Sequence, residues 1–418
     1  MLADTRRIGT ETCSTFYFIQ SWVDNRHFMD LRPSANPVLV YTAAAFDTML
    51  AHLWARKLVA LDTESDSLFS YYPKVCLIQI STYTDPAAAP GAVTDYLVDP
   101  LRFNEIDALG ALLASADCQV VMHAAENDIL QLQREYGFRF NAIFDTQLAA
   151  RILGWERAGL AVILEEKFGV VSDKRMQRTN WGKRPLTPEQ IAYAQMDTHY
   201  LPALAALQSE ELHARDRWEE AQEAFAQLAA LDYQTRPTNH RSFWSMKETR
   251  AVPLDQTGVL EALWLWREQE AQSQDRPPFK IVNNQVLVQL AQTQPRTPAE
   301  LAAVRGLGST ELRRYGAALL KAIEEGKRRP LPDLPEPHLR PEQFLERSAL
   351  AQYDALRRWR AQVAEARGVA PDIVLTNDVL LEIVKRQPHT VGDLRRIDAI
   401  GPWKARTYGP EIIKLLHR

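Results

Sequence analysis

Cysteine is scarce and scattered. Three residues, Cys13, Cys76 and Cys118, occur in 418, an odd number with no C-x-x-C pair among them. That excludes a disulfide framework and a thiolate zinc site, and it predicts a reducing, cytoplasmic setting. Long hydrophobic runs are missing, and no stretch approaches the ~20 apolar residues that span a bilayer. The first residues include Asp4 and Glu11 and hold no extended apolar core, which argues against a secretory signal. There is no excess of one charge either: 49 Lys and Arg stand against 53 Asp and Glu, a net −4. A uniformly basic, histone-like binder is excluded, but local basic faces beside an acidic site are not. What is present, 46% hydrophobic and 24% charged residues, describes an ordinary globular chain long enough for two or three domains.

Residues 1–36 form an extension without a clear pattern; FYFIQSWV, residues 16–23, is apolar and fits a short strand or helix. From Pro37 short apolar runs alternate with helical spacing. PVLVYT, KLVALDTE, VCLIQIST, DYLVD and CQVVMHAA read as strands, AAAFDTMLAHLWARK and NEIDALGALLAS as helices. Such alternation predicts an α/β sheet with helices packed on it. After Asn127 the pattern is almost wholly helical to about Ala230. A polar linker, 231–257, precedes a repeat whose copies keep one offset: Trp266 with Trp359, Asn284 with Asn377, Pro295 with Pro388, Gly308 with Gly401, Tyr315 with Tyr408. The copies, 258–329 and 346–418, read as small helical units. The proline-rich stretch between them, 330–345, predicts a semi-rigid linker.

Within LVALDTESDS, Asp62 and Glu64 lie two apart at the end of a strand, so their carboxylates point the same way. Two such charges repel and resist ionising, and a divalent cation is the natural compensation. Asp128 lies near the start of the helix after MHAAEN. A later helix is expected to begin after Thr187, with Pro188 in its first turn; on it Tyr193 and Asp197 are four apart and share a face.

D-x-E at a strand end, an Asp after a later strand and Y-x-x-x-D on a late helix, in that order, resemble the DEDD exonucleases. The words LDTESDSLFSYYPKVCLIQIS, MHAAENDI, FDTQLAARILG and DKRMQRTNWGKRPLTPEQIAYAQMDTHYL are similar to the ribonuclease D family over roughly 37–210. Tyr193, four before Asp197, corresponds to the tyrosine branch, DEDDy. The C-terminal copies resemble HRDC domains, which ribonuclease D shares with RecQ-type helicases. The resemblance implies a ribonuclease H-like α/β exonuclease domain (37–230), a mixed sheet flanked by helices, followed by two small all-α HRDC domains. It further implies a 3′→5′ exoribonuclease that releases nucleoside 5′-monophosphates from tRNA precursors or other structured small RNAs. Two divalent ions, Mg²⁺ or Mn²⁺, would be held by Asp62, Glu64, Asp128 and Asp197, with Tyr193 hydrogen-bonding the attacking water. Ser65 departs from the many relatives that carry an aromatic residue there. A DNA exonuclease of the same superfamily and a non-catalytic RNA-binding scaffold are the alternatives.

Other residues were candidates for RNA contact. Lys174, Arg175, Arg178, Lys183 and Arg184 form a basic run around Trp181, which predicts backbone contacts and a stacking surface. His199 stands two after Asp197, where it would near the scissile phosphate. Asp66 continues the alternation of Asp62 and Glu64. Asp145 reads as a helix cap, His123 as a packed strand-end residue, and Trp266 and Trp359 as core residues of the repeats. The turns at Gly306–Gly308 and Ile400–Arg406, the latter with Lys404 and Arg406, resemble backbone cradles for a phosphate. They predict an accessory RNA grip, because both repeats are mildly basic and the first 257 residues acidic.

Overall fold

The computed structural model describes residues 32–33, 35–85, 92–234, 242–332 and 345–417. Most of the 1–36 extension, with FYFIQSWV and Cys13, and most of the proline-rich linker lie outside the described residues. The sheet is built from β1 (Val38–Val40), β2 (Leu58–Ser65), β3 (Val75–Tyr83), β4 (Val93–Val98), β5 (Gln119–Met122) and β6 (Ile143–Asp145). Their order is β1-β4-β3-β2-β5-β6. β3 runs antiparallel to both β2 and β4, and the remaining pairs are parallel, so the sheet is mixed as expected.

Both faces are covered, which is why β3 reads as a nearly unbroken apolar run. On one face Val59, Leu61, Ile78, Ile80 and Val120 pack against α1 (Ala43–Trp54), α2 (Asp107–Leu113) and α3 (Glu126–Tyr136). On the other, Ala60, Val121 and Phe144 meet α4 (Thr146–Leu153), α5 (Leu160–Phe168), α7 (Leu201–Ala214) and α8 (Trp218–Ala229). α6 (Pro188–His199) crosses that second face over β3 and β4. β6 was not foreseen: three residues are too short to show a period, and Asp145 ends the strand while its side chain caps α4 by accepting from Leu148 N–H at 2.8 Å.

The repeat is repeated in structure. Its first copy has α9 (Thr257–Ser273), α10 (Asn284–Thr293), α11 (Pro298–Ala302) and α12 (Ser309–Lys327). The second begins with α13 (Arg347–Arg367) and the short α14 (Pro371–Val374). It continues with α15 (Asn377–Arg386), α16 (Val391–Leu394) and α17 (Pro402–Leu416). Trp266 meets Tyr315 edge-on at 5.5 Å, as Trp359 meets Tyr408 at 5.7 Å. Arg267 donates to the Val282 carbonyl and Asn284, and Arg360 does the same to Leu375 and Asn377. Trp359 is buried; Trp266 is partly covered at the edge of the first core.

Both copies dock on the sheet domain. Asp275 of the first accepts from the backbone of Tyr71 and Tyr72 at 2.9 and 3.2 Å, and Lys280 sits over the Phe69 ring at 3.8 Å. These contacts fall on the loop that leaves the Asp62–Glu64 strand. The second copy lies against α8 and places Ile373 in the sheet domain's own core. Arg367 pairs with the fully buried Glu220, Arg406 with Glu219, and the N–H groups of Trp403 and Lys404 donate to the Glu223 carboxylate at 2.5 and 3.3 Å. The expectation of a second RNA grip at Ile400–Arg406 is therefore corrected: the cradle holds a carboxylate of the same chain.

Candidate active site

β2 outruns β5. Only Leu58–Ala60 pair with it, so Asp62 and Glu64 project past the end of that neighbour. β3 supports them from the other side, Asp62 opposite Gln79 and Glu64 opposite Leu77. The space beyond β5 is filled by the start of α3. There Ala124 takes a left-handed backbone, φ 58, a conformation that L-residues disfavour. The Ala125 N–H then donates to Asp145 at 2.7 Å. This sharp entry brings Asp128, in the first turn of α3, back over β2, where the Thr63 hydroxyl donates to its carboxylate. The Thr63 N–H donates to Asp62 at 2.9 Å.

α6 supplies the rest. Thr187 and Gln190 close a capping box around Pro188, which sets the helix start that the sequence predicts. Farther along, Asp95 of β4 accepts from Ser81 at 2.6 Å and Gln195 at 2.7 Å and contacts His199 Nδ1 at 2.9 Å, while Ser81 meets Thr198 at 2.7 Å. This buried polar cluster fixes the helix's height over the sheet. Tyr193 and Asp197 consequently face the β2 carboxylates, and the Tyr193 hydroxyl hydrogen-bonds Asp197.

Four acids from three distant segments thus share one field. Burial first, then Asp128, Asp197 and Glu64, holds the Asp62 carboxyl well above the usual range. Burial followed by Asp197 and Asp128 pushes Glu64 up to about 9. Burial raises Asp197 to about 7 and Asp128 to about 6, against the hydrogen bonds from Tyr193 and Thr63. Tyr193 is driven upward by burial, then by Asp197 and Glu64, so its phenol keeps its proton and acts as a donor.

The donor set is all carboxylate oxygen, which suits a hard divalent cation. Asp197 Oδ2 is buried with no partner among the described residues, a position a cation or its water would satisfy. Among the described residues no three such side chains close into a ready cage. Like charges hold apart, and Mg²⁺ draws much of its shell from water and substrate oxygens, so these residues fit the group without enclosing it.

Several expected contacts are corrected. Trp181 is fully buried against Leu77 and Tyr193 and offers no face to a base. Arg184 is turned inward, donating to Asp99 at 2.5 and 2.8 Å and to the Cys76 and Trp181 carbonyls. His199 is buried in the Asp95 cluster rather than near a phosphate. Asp66 folds into its own loop, accepting from Ser70 and the Lys74 N–H. Lys174 and Lys183 remain exposed. His123 packs at the strand end against Thr146, its pKa lowered to about 4 by burial. Sequence reasoning missed Thr63, Asp95 and Gln177, the last hydrogen-bonded to Tyr193. Thr63, inside D-x-E, and Gln177, inside the basic run, stood in segments already singled out; Asp95 did not.

Residues 37–210 match a family model described as 3'-5' exonuclease, and 256–323 and 349–416 each match the HRDC domain. Ribonuclease D of Nitrobacter hamburgensis is 28% identical over 382 residues, covering 91% of this chain and 95% of the relative. Ribonuclease D of Acidiphilium cryptum is 28% identical over 391 residues, covering 92% and 95%. The fold is similar to that of Escherichia coli RNase D, an exoribonuclease involved in structured RNA processing, with a TM-score of 0.65 and 23% identity over 91% of this chain and 99% of that one.

Proposed function

The chain belongs to the ribonuclease D family, and from that membership we propose that it hydrolyses RNA from the 3′ end through the Asp62, Glu64, Asp128, Asp197 and Tyr193 site. The observation that carries this reading is the convergence of those four carboxylates from three segments, with the Tyr193 phenol bonded to Asp197. Two divalent ions bound there, Mg²⁺ or Mn²⁺, would supply the positive charge that an anionic phosphorus centre needs as a water enters and the 3′ oxygen leaves. Asp62, central to the set, is suited to serve both ions. Glu64 and Asp197 would hold the one on the water side, and Asp128, steadied by Thr63, would hold the other. Tyr193 orients the attacking water by hydrogen bonding, since its phenol does not ionise near neutral pH. The products are nucleoside 5′-monophosphates.

Structured small RNAs, tRNA precursors among them, are the proposed substrates, and the cytoplasm the proposed location. Lys174 and Lys183, both exposed, are the proposed contacts to the strand's phosphates. The purified protein, given 5′-labelled and 3′-labelled RNA with Mg²⁺, should release mononucleotides from the 3′ end and stop on addition of EDTA. Asp62→Asn and Asp197→Asn should lose hydrolysis while keeping fold and RNA binding. Wild-type turnover in either variant removes the carboxylate site from the reaction. Faster digestion of a matched DNA strand would favour the DNA reading instead, and binding without turnover the scaffold reading.

A further inference from the structure

β3 carries a buried amide side chain among mostly apolar neighbours. Gln79 lies at the middle of VCLIQISTY, has no exposed surface, and neither its Nε2 nor its Oε1 has a partner among the described residues. A side-chain amide offers two donors and two lone pairs, and burying them unmet is unfavourable. Leu or Met would fill the same space without that penalty.

The register says what the amide is beside. Gln79 stands directly opposite Asp62 on β2 and Leu97 on β4. Residues 77, 79 and 81 share a face, and that face lies under α6: Leu77 packs on Tyr193 and Ala194, and Ser81 bonds to Thr198. Gln79 is therefore bracketed beneath the α6 turn that carries Asp197. On that turn Asp197 Oδ2 is buried and, like the Gln79 amide, has no partner among the described residues. An unmet donor and an unmet acceptor thus lie on the facing sides of one strand and the helix that crosses it.

We infer that Gln79 is a positioning residue for the catalytic carboxylates, its Nε2 donating through one buried water to Asp197 Oδ2, beside Asp62. The bond fixes the rotation of the Asp197 carboxylate, leaving Oδ1 to the Tyr193 phenol and the outward lone pairs to a cation. Groups of this kind, one step behind the ligands, commonly set metal affinity or activity by 10–100-fold. The inference rests on the reading of the site given above.

The test uses the full chain and Gln79→Leu, with Gln79→Met as a second variant of different shape should the first not fold. Thermal midpoints are recorded in EDTA and across a Mn²⁺ titration, and kcat and KM are measured on a short RNA. In EDTA the variants should melt at or above the wild-type temperature, since an unmet amide has gone. The Mn²⁺ concentration giving half the thermal shift should rise about tenfold or more, with a lower kcat and an unchanged KM. An unshifted Mn²⁺ midpoint with wild-type kcat overturns the inference, as does destabilisation in EDTA with the cation response intact, which marks a packing residue. Failure of the wild-type protein itself to respond to Mn²⁺ or to cut RNA overturns the site reading first, and is separately visible.

Discussion

Glu64 is where protonation and cation binding meet. Its folded carboxyl is raised to about 9, against ~4.3 for a free glutamate. Between those values the folded chain keeps a proton that the unfolded chain releases. Stability then falls as pH rises through that window and is lowest, on this account, above about 9. Metal-free protein should melt progressively lower from pH 5 to pH 9, whereas Glu64→Gln should show a flatter profile and exceed the wild type at the alkaline end. Mn²⁺ should raise the wild-type midpoint more at pH 8 than at pH 6, because cation and proton compete. Calorimetry of both proteins in EDTA checks this; superimposable pH slopes would contradict it. Tyr193→Phe removes the water-orienting hydroxyl while retaining the ring's packing, and should lower kcat roughly 10²-fold with the Mn²⁺ midpoint little changed. At this scale the sequence was legible where chemistry and spacing coincide, as in Asp62, Glu64, Tyr193 and Asp197. It misled where polarity implied exposure. Trp181, Arg184 and His199 sit in a polar, basic stretch or late on a polar helix, yet each is spent on internal contacts that only the folded chain creates.

Elements matter through their anchoring. α6 presents two site residues, and its placement depends on Asp95, 100 residues before Gln195 and bonded to Ser81, Gln195 and His199. Removing that acceptor strands several buried donors at once. Asp95→Ala should destabilise the protein by roughly 3 kcal/mol or more and depress activity even at temperatures where it remains folded. Denaturant melts paired with rate measurements would separate the two effects, and a loss under 1 kcal/mol would show that α6 is held otherwise. Asp95 was invisible beforehand because DYLVD shows a strand but not which partners its acid meets across the fold. β6 was missed for a related reason: its pairing with β5 is tertiary, and three residues carry no periodicity. By contrast the start of α6 was readable, since Thr187, Pro188 and Gln190 are local signals and local structure obeyed them.

On the scale of the whole molecule, the second helical copy is held to the sheet domain by Glu219, Glu220 and Glu223 and by two left-handed glycines that face each other, Gly154 and Gly368. A Cβ on Gly154 would collide with the Gly368 carbonyl. Gly154→Ala should therefore loosen the second copy, seen as faster amide exchange at Trp403 and Lys404, with Mn²⁺ binding at the carboxylate site unaffected. Deleting residues 331–418 would do more than remove a binding module. It uncovers Glu220 and withdraws Ile373 from the core, so the truncated chain should be destabilised and lose activity on short oligonucleotides as well as on structured RNA. Chain organisation was plain in the sequence from the fixed offset of the repeats. Their different docking was not, because it depends on acids in α8 that no pattern links to Ile400–Arg406.

The duplicated units have ceased to be interchangeable parts. In the first, Glu311 brings a carboxylate to its own turn at Gly308. The second has Lys404 at the equivalent place and takes Glu223 from outside. A chimera with the earlier unit in the later slot would set Glu311 against Glu223, anion on anion, so divergence at one position ties each twin to its own berth.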